Sequence, residues 1–185
     1  MHSMPVPESC DLPPRLDRAL DALVDPLGPA TSFTVLPDPE SVTDARHFAL
    51  TRLDSWHLGA LGDDVALVVS ELVTNALRHS GGTPCGAPRW NARNGFGALI
   101  DPLGSAPAAI QLRLYHQAPW LLCGIIDASP AAPRRKEPDY IAETGRGLHL
   151  VESFSVRWGW RGLPEGKVVW ALFRAPGAGG AQPTA

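Results

Sequence analysis

The prolines of this 185-residue chain are distributed very unevenly, and their distribution limits where long helices can form. Eight of the 19 prolines lie in residues 1–39, none lies in residues 40–83, and eleven follow from residue 84 onward. A proline inside a helix costs about 3 kcal/mol, because it lacks an N–H group and clashes with the preceding turn. We therefore expect the long helices of this chain to lie between residues 40 and 83.

The composition argues against several classes of protein. Apolar residues make up 44% of the chain and charged residues 19%, which is typical of a globular protein and not of a disordered one. The 16 Lys and Arg against 19 Asp and Glu argue against a nucleic-acid-binding protein, whose affinity would depend on a basic surface. The three cysteines are too scattered for a disulfide framework, and no apolar run approaches the length of about 18 residues that a membrane span needs. We expect a soluble, cytoplasmic protein.

The composition also divides the chain into segments. Residues 1–31 contain six prolines and are predicted to be an N-terminal extension, in which residues 15–25 form a short amphipathic helix. That helix either covers the edge of the core or docks a partner. Residues 32–174 are predicted to form one domain, interrupted by a loop-like insertion at residues 81–109. Residues 175–185 have the composition of a disordered tail.

The hydrophobic pattern of the central domain predicts the element order β α α β β α β β. The predicted elements are a strand at 32–36, helices at 41–59 and 63–80, strands at 110–116 and 120–126, a short helix after residue 147, and strands at 155–160 and 167–174. This order predicts an α/β fold, a two-layer sandwich with a mixed, mostly antiparallel sheet and helices on one face.

The second predicted helix carries a row of polar residues. Glu71, Asn75 and His79 are spaced four residues apart, so they project from one side of the helix, beside its apolar stripe. A carboxylate can take up a proton, an amide oxygen can ligate a hard cation, and an imidazole can meet a phosphate. The alternative interpretation is a polar face exposed to solvent.

Two later motifs also contain residues that could bind a ligand. Asp127 follows an apolar strand, where a carboxylate needs a partner to offset its desolvation; it could accept a hydrogen bond from a purine amine or simply open a turn. Gly145 and Gly147 precede a helix, so their backbone N–H groups could face an anion, and Arg146 between them could reach a phosphate. A tight entry into the helix is the alternative for this motif.

Together these motifs resemble those of the GHKL superfamily of ATPases and kinases, and more narrowly the anti-sigma factor serine/threonine kinases and their actinobacterial relatives. Residues 67–79 match the N-box of that family, and residues 127–133 fit its first glycine box in the form Asp-x-Ser-x-x-x-Pro. Residues 145–151 fit the second glycine box, and residues 166–170 fit the closing strand. The likeness covers residues 32–174 and implies a histidine kinase-like, GHKL-type ATP-binding fold.

The resemblance implies a role for individual residues, with ATP and Mg²⁺ as cofactors. Glu71 would be the catalytic general base, Asn75 would ligate the Mg²⁺, and Asp127 would bind the adenine amine. The other expected nucleotide-binding positions are His79, Ser129, Gly145, Arg146, Gly147 and Leu148. Ser129 stands where the wider superfamily has a glycine.

The function that the resemblance implies is an ATP- and Mg²⁺-dependent protein serine/threonine kinase of the anti-sigma factor type. Such a protein regulates transcription by sequestering a sigma factor and by phosphorylating an antagonist of the anti-anti-sigma type. The alternative is a non-catalytic ATP-binding module whose affinity for its partner depends on the nucleotide state; the short segment between Asp127 and Gly145 and the long segment 81–109 favour it.

A two-component histidine kinase is a third interpretation and fits less well, because we find no sequence context for a dimerising helical hairpin with a phospho-acceptor histidine. Relatives of this kind often dimerise, so a homodimer stays open. We expect no direct contact with nucleic acid or membrane.

Overall fold

The computed structural model describes residues 3–6, 8, 12–38, 40–80, 110–136 and 147–175. The strands in these residues are β1 (Ser3–Pro5), β2 (Thr31–Val35), β3 (Ile110–Gln117), β4 (Trp120–Asp127), β5 (Arg134–Lys136), β6 (Arg157–Leu163) and β7 (Gly166–Arg174). The helices are α1 (Pro14–Val24), α2 (Ser41–Ser55), α3 (Gly62–Ser80) and α4 (Gly147–Phe154), with a 3₁₀ turn at Gly59–Leu61. The two long helices, α2 and α3, both fall in the proline-free window, as predicted.

Five strands form the central sheet in the order β2-β3-β4-β7-β6. All four pairings between these strands are antiparallel. The expected α/β fold is therefore confirmed, and the predicted mixed, mostly antiparallel sheet is wholly antiparallel among the described strands. The strand order places β4 and β7, which are distant in the sequence, next to each other inside the sheet.

One face of the sheet is covered by α2, α3 and α4, and the main hydrophobic core lies between these helices and the sheet. The core is built from alternate residues of each strand, because successive side chains of a strand point to opposite faces. Its buried members include Ala45, Ala49 and Leu53 of α2, Val65, Val68, Val69, Leu72 and Val73 of α3, Val151 of α4, and Leu112, Leu114, Leu121, Cys123, Ile125, Ala171 and Phe173 of the strands.

The opposite face of the sheet is covered by α1, a helix of the predicted N-terminal extension that was not among the helices expected on one face. A second core joins Leu16, Leu20 and Leu23 of α1 to Leu122, Val168 and Trp170 of β4 and β7. Both Leu20 and Leu23 are fully buried. A helix inside the predicted N-terminal extension is thus an integral part of the packed structure.

Two features of the sheet hold α1 in place. Gly124 presents a bare backbone to the helix, since a Cβ atom placed there would lie 2.6 Å from Leu23 Cδ2 and 3.2 Å from Val168 Cγ2. The buried guanidinium of Arg113 donates hydrogen bonds to the carbonyl oxygens of Leu23, at 3.1 Å, and Asp25, at 2.7 Å. A cation at the C-terminal end of a helix both satisfies free carbonyl groups and complements the helix dipole.

A second, two-stranded sheet pairs β1 with β5 antiparallel, which the sequence did not predict. Next to it, Val6 N donates to the carbonyl oxygen of Pro133 at 2.9 Å. Trp160 Nε1 in β6 donates to the carbonyl oxygen of Val6 at 2.8 Å, and Glu8 Oε1 accepts from Gly162 N at 2.7 Å. The N-terminal residues therefore connect the segment after β4 to the edge strand β6.

The predicted insertion at residues 81–109 and nearly all of the predicted tail lie outside the described residues, so the predicted domain boundaries stay predictions. Among the helices that are described, none combines the length and the apolar character needed to cross a membrane.

Candidate functional site

A cavity of about 320 Å³ opens between α3, the start of α4 and the facing ends of β4 and β7. Three segments that are far apart in the sequence contribute to its wall: helix α3, the residues around Asp127, and the start of α4. The described residues that line the cavity are Leu72, Asn75, Ala76, Arg78, Ile125, Asp127, Ser129, Ala131, Ala132, Pro133, Leu148, Lys167 and Val169. The structure thus brings together residues that the sequence had suggested for one site.

Asp127 is the last residue of β4, and its side chain is almost completely buried at 2% exposure. It faces the side of the sheet that carries α3, as Cys123 and Ile125 do, because side chains along a strand alternate between the two faces. Its Oδ1 atom accepts a hydrogen bond from Ser129 N at 2.8 Å. Asp127 therefore opens the turn after β4 and also lines the cavity, while its contact with a purine amine stays a prediction.

Lys167 is the partner of Asp127, and our sequence reasoning did not single it out as a site residue. The two residues face each other in the register of β4 and β7. Lys167 Nζ donates to Asp127 Oδ1 at 2.7 Å and to the carbonyl oxygen of Ser129 at 2.8 Å. The only local signal in the sequence is a lysine at the start of a strongly apolar strand, where a charged side chain needs a partner.

Glu71 and Asn75 lie on consecutive turns of α3 and face the start of α4, as their spacing predicts. A Cβ atom placed on Gly147 would lie 2.5 Å from Glu71 Oε2 and 3.4 Å from Asn75 Nδ2. Asn75 lines the cavity, whereas Glu71 is not among the described residues of its wall. The absence of a side chain at Gly147 therefore lets the Glu71 carboxylate lie directly against the start of α4.

Three further residues belong to the cavity wall. Ser129 and Leu148, both expected from the resemblance, line it, and Leu148 is buried at 7% exposure. Arg78, which our sequence reasoning did not single out, also lines the cavity, and its side chain is exposed. Since the charges of Asp127 and Lys167 compensate each other, Arg78 is a further cation in the described wall.

The remaining expected positions cannot be placed in the site. Gly145 and Arg146 lie outside the described residues. The backbone of His79 belongs to the last turn of α3, but its side chain is not part of the described structure. Their assignment as nucleotide-binding residues stays a prediction.

The described part of the cavity has apolar walls and a charged pair at one end. Leu72, Ala76, Ile125 and Val169 supply apolar walls for the faces of a ring, and the Asp127–Lys167 pair supplies polar groups for its edge. The Asn75 amide could contribute one oxygen ligand to Mg²⁺, a cation that usually takes few protein ligands and keeps phosphate and water oxygens as the rest. The described residues contain no cluster of three or more His, Cys, Asp or Glu that could hold a metal by itself.

The fold of this chain is similar to that of the RsbU and RsbW domains of Rv1364c from Mycobacterium tuberculosis, with a TM-score of 0.50 and 14% sequence identity. The match covers 79% of this chain and 32% of the other, so it spans about a third of that protein chain. No family model matches the sequence, and a search of curated proteins finds no significant match. At this identity the likeness shows the fold alone, and this chain shares its α/β fold with that structure.

Proposed function

We propose that this protein is an ATP- and Mg²⁺-dependent serine/threonine kinase of the anti-sigma factor type, which binds and phosphorylates a protein antagonist and so regulates transcription. The observation that carries the proposal is the meeting of Asn75, Asp127 and Leu148 around one cavity. These residues come from three separate motifs, each of which the resemblance associates with nucleotide binding. The fold shared with the RsbU and RsbW domains of Rv1364c is consistent with this assignment.

The proposed chemistry divides among a few residues. ATP supplies the phosphoryl group, and Asn75 would hold the Mg²⁺ that accompanies it. Asp127 would accept a hydrogen bond from the base. Glu71 of α3, whose carboxylate lies against the start of α4 near Asn75, would take the proton of the partner's serine or threonine hydroxyl. In phosphoryl transfer, positioning and charge neutralisation supply most of the catalysis, so the base contributes one part of it.

The first experiment tests nucleotide binding. ATP is titrated with and without Mg²⁺ into the wild-type chain, Asn75→Ala and Thr74→Ala, and the heat of binding is measured. Thr74 is the matched control, because it neighbours Asn75 on α3 but is not among the described residues that line the cavity. We expect Asn75→Ala to lose the Mg²⁺-dependent part of the affinity and Thr74→Ala to bind as the wild type does. A wild-type chain that does not bind ATP would refute the assignment.

The second experiment tests the transfer step. The wild-type chain and Glu71→Gln are incubated with γ-labelled ATP and soluble proteins of the source organism, and labelled serine or threonine is measured. We expect a labelled partner with the wild type and a loss of at least about 100-fold with Glu71→Gln, since general-base catalysis contributes on this scale. ATP binding by Glu71→Gln should be retained.

The alternative is a non-catalytic regulator whose affinity for a partner depends on the nucleotide. It would bind ATP in the first experiment and label no protein in the second. The pairing of β1 with β5 favours this alternative. It connects the N-terminal residues to the segment after β4, so a nucleotide bound near that segment could change the position of β1. A partner protein captured only in the presence of ATP, without labelling, would support it.

A further inference from the structure

Residues 131–133 form one part of the cavity wall, and their own side chains do little to fix its position. Ala131 is exposed, and Ala132 and Pro133 are half-buried. An alanine side chain is a single methyl group with few packing contacts, and a proline has no N–H group to donate. Within the part of the chain that the structure describes, the hydrogen bond from Val6 N to the carbonyl oxygen of Pro133, at 2.9 Å, is the one that reaches these residues. This wall is therefore held from the N-terminus.

The residues around Val6 reach two parts of the central domain at once. We call residues 3–6, together with Glu8, the N-terminal strap. On one side, β1 pairs with β5, which directly follows the cavity wall. On the other side, the carbonyl oxygen of Val6 accepts from Trp160 Nε1 at 2.8 Å, and Glu8 Oε1 accepts from Gly162 N at 2.7 Å. The strap thus bridges the segment after β4 and the edge strand β6.

The anchor on β6 is itself fixed against the end of β4. A tight turn joins β6 to β7, and Gly166, the first residue of β7, has a φ of 135°. A Cβ atom at this position would collide with the carbonyl oxygen of Asp127, so the turn packs directly on the backbone where β4 ends. The strap therefore ties the wall to a part of the sheet that close backbone packing holds in place.

We propose that the N-terminal strap holds the wall at residues 131–133 in the position that binds the nucleotide, so that strap and nucleotide stabilise each other. With the strap in place the cavity has a volume of about 320 Å³, which is within the range of small-ligand sites. A released wall samples other positions, and the apparent dissociation constant then rises in inverse proportion to the fraction that stays in place. This inference rests on the proposed nucleotide site and adds a distant element that controls its affinity.

The test compares the affinity for ATP in two pairs of variants of the full chain. Val6→Pro removes the N–H group that donates to Pro133, whereas its control Val6→Ala keeps this group. Glu8→Ala removes the acceptor of Gly162 N, whereas its control Glu165→Ala removes an exposed carboxylate from the turn between β6 and β7. In the presence of Mg²⁺, each strap variant should bind ATP at least about threefold more weakly, as expected for the loss of one hydrogen bond. Each control should bind ATP as the wild type does.

Amide hydrogen exchange on the wild-type chain gives an independent measurement. Coupling between two sites is reciprocal, so a ligand that binds the strapped state more tightly also keeps the strap in place. Saturating ATP and Mg²⁺ should therefore slow the exchange of residues 3–6 and 134–136 by at least about threefold, the factor expected for the affinities. Exchange in the buried helix α1 reports global unfolding and shows whether the effect is local.

The outcomes separate this inference from the proposed function. If the wild type binds ATP and the strap variants bind it as tightly as their controls, or more tightly, the strap does not hold the wall and the ATP site stays intact. Exchange at residues 3–6 that bound ATP leaves unchanged overturns the coupling in the same way. A wild-type chain that does not bind ATP overturns the proposed site and the inference with it.

Discussion

Gly147, the first residue of α4, lies against the carboxylate of Glu71 on α3. A Cβ atom at position 147 would come within 2.5 Å of Glu71 Oε2. The atom that it would meet is the end of a flexible side chain, so the carboxylate can move aside without disturbing the backbone. The glycine therefore matters for where the carboxylate is held more than for whether the chain folds.

The first prediction concerns Gly147→Ala. We expect the free energy of unfolding in urea to change by less than about 1 kcal/mol, since alanine also improves the helix propensity of this position. The displaced carboxylate should lower the rate of phosphoryl transfer by about 100-fold, as small misplacements of a reacting group do. Gly59→Ala is the control, because its new Cβ would have only an ordinary contact of 3.6 Å with Asp54 Oδ1. Equal transfer rates for both variants would show that the position of Glu71 is unimportant.

The second prediction concerns Gly124→Ala, where the new Cβ would meet Leu23, a side chain with 0% exposure. A buried side chain has no free space to enter, so we expect a loss of about 1–3 kcal/mol in the free energy of unfolding. Leu23→Ala alone should cost about 2–5 kcal/mol through the cavity it leaves.

A double-mutant cycle in urea separates this clash from other effects of the substitution. Gly124→Ala should cost little in the background of Leu23→Ala, because the methyl group added at position 124 would then have room. Additive effects of the two substitutions would mean that α1 does not pack on Gly124.

The third prediction concerns the stability of the Asp127–Lys167 pair. Lys167→Met should lower the free energy of unfolding by about 3–5 kcal/mol, since it leaves a buried carboxylate without its counter-charge. The double variant Asp127→Asn/Lys167→Met removes both charges while an amide oxygen can still accept from Ser129 N, so it should recover most of this loss. Urea unfolding of the two variants provides the comparison. A double variant no more stable than Lys167→Met would contradict a direct pairing.

The fourth prediction concerns Cys123, whose thiol is fully buried in the main core. Burial disfavours the thiolate and raises the pKa of Cys123 from 9.0 to about 12. In a Cys10→Ser/Cys85→Ser background, we expect alkylation of the native chain at pH 8 to be slower than in urea by on the order of 1000-fold, because the thiolate is the reactive form. Rapid alkylation of the native chain would show that this part of the core is open.

The same shift predicts a dependence of stability on pH. Between pH 9 and about 12 the thiol ionises in the unfolded chain but stays protonated in the folded one. The folded state then binds more protons, so its stability is complete below pH 9 and falls as the pH rises through this range. Cys123→Ala lacks this component, and its stability should fall less steeply in alkaline urea titrations.

The parts of the fold that could be predicted depend on short-range patterns. The period of the apolar residues and the absence of proline indicated α3, with Glu71 and Asn75 on one side of it. The apolar run before Asp127 indicated a buried strand that ends at a carboxylate. Each of these patterns involves residues within a few turns or a few strand positions, where local geometry fixes which side chains share a face.

The parts that could not be predicted depend on contacts between distant segments. Lys167 meets Asp127 because β7 pairs with β4 in one register, and a shift by one residue would turn Lys167 to the other face of the sheet. The packing of α1 on the second face depends on the bare backbone of Gly124, which lies far along the chain from Leu23. Local propensity and periodicity thus indicated most of the elements, and the resemblance of the motifs suggested the candidate site. The charge balance of the cavity and the covering of the second face follow from strand register and close packing, which no local pattern encodes.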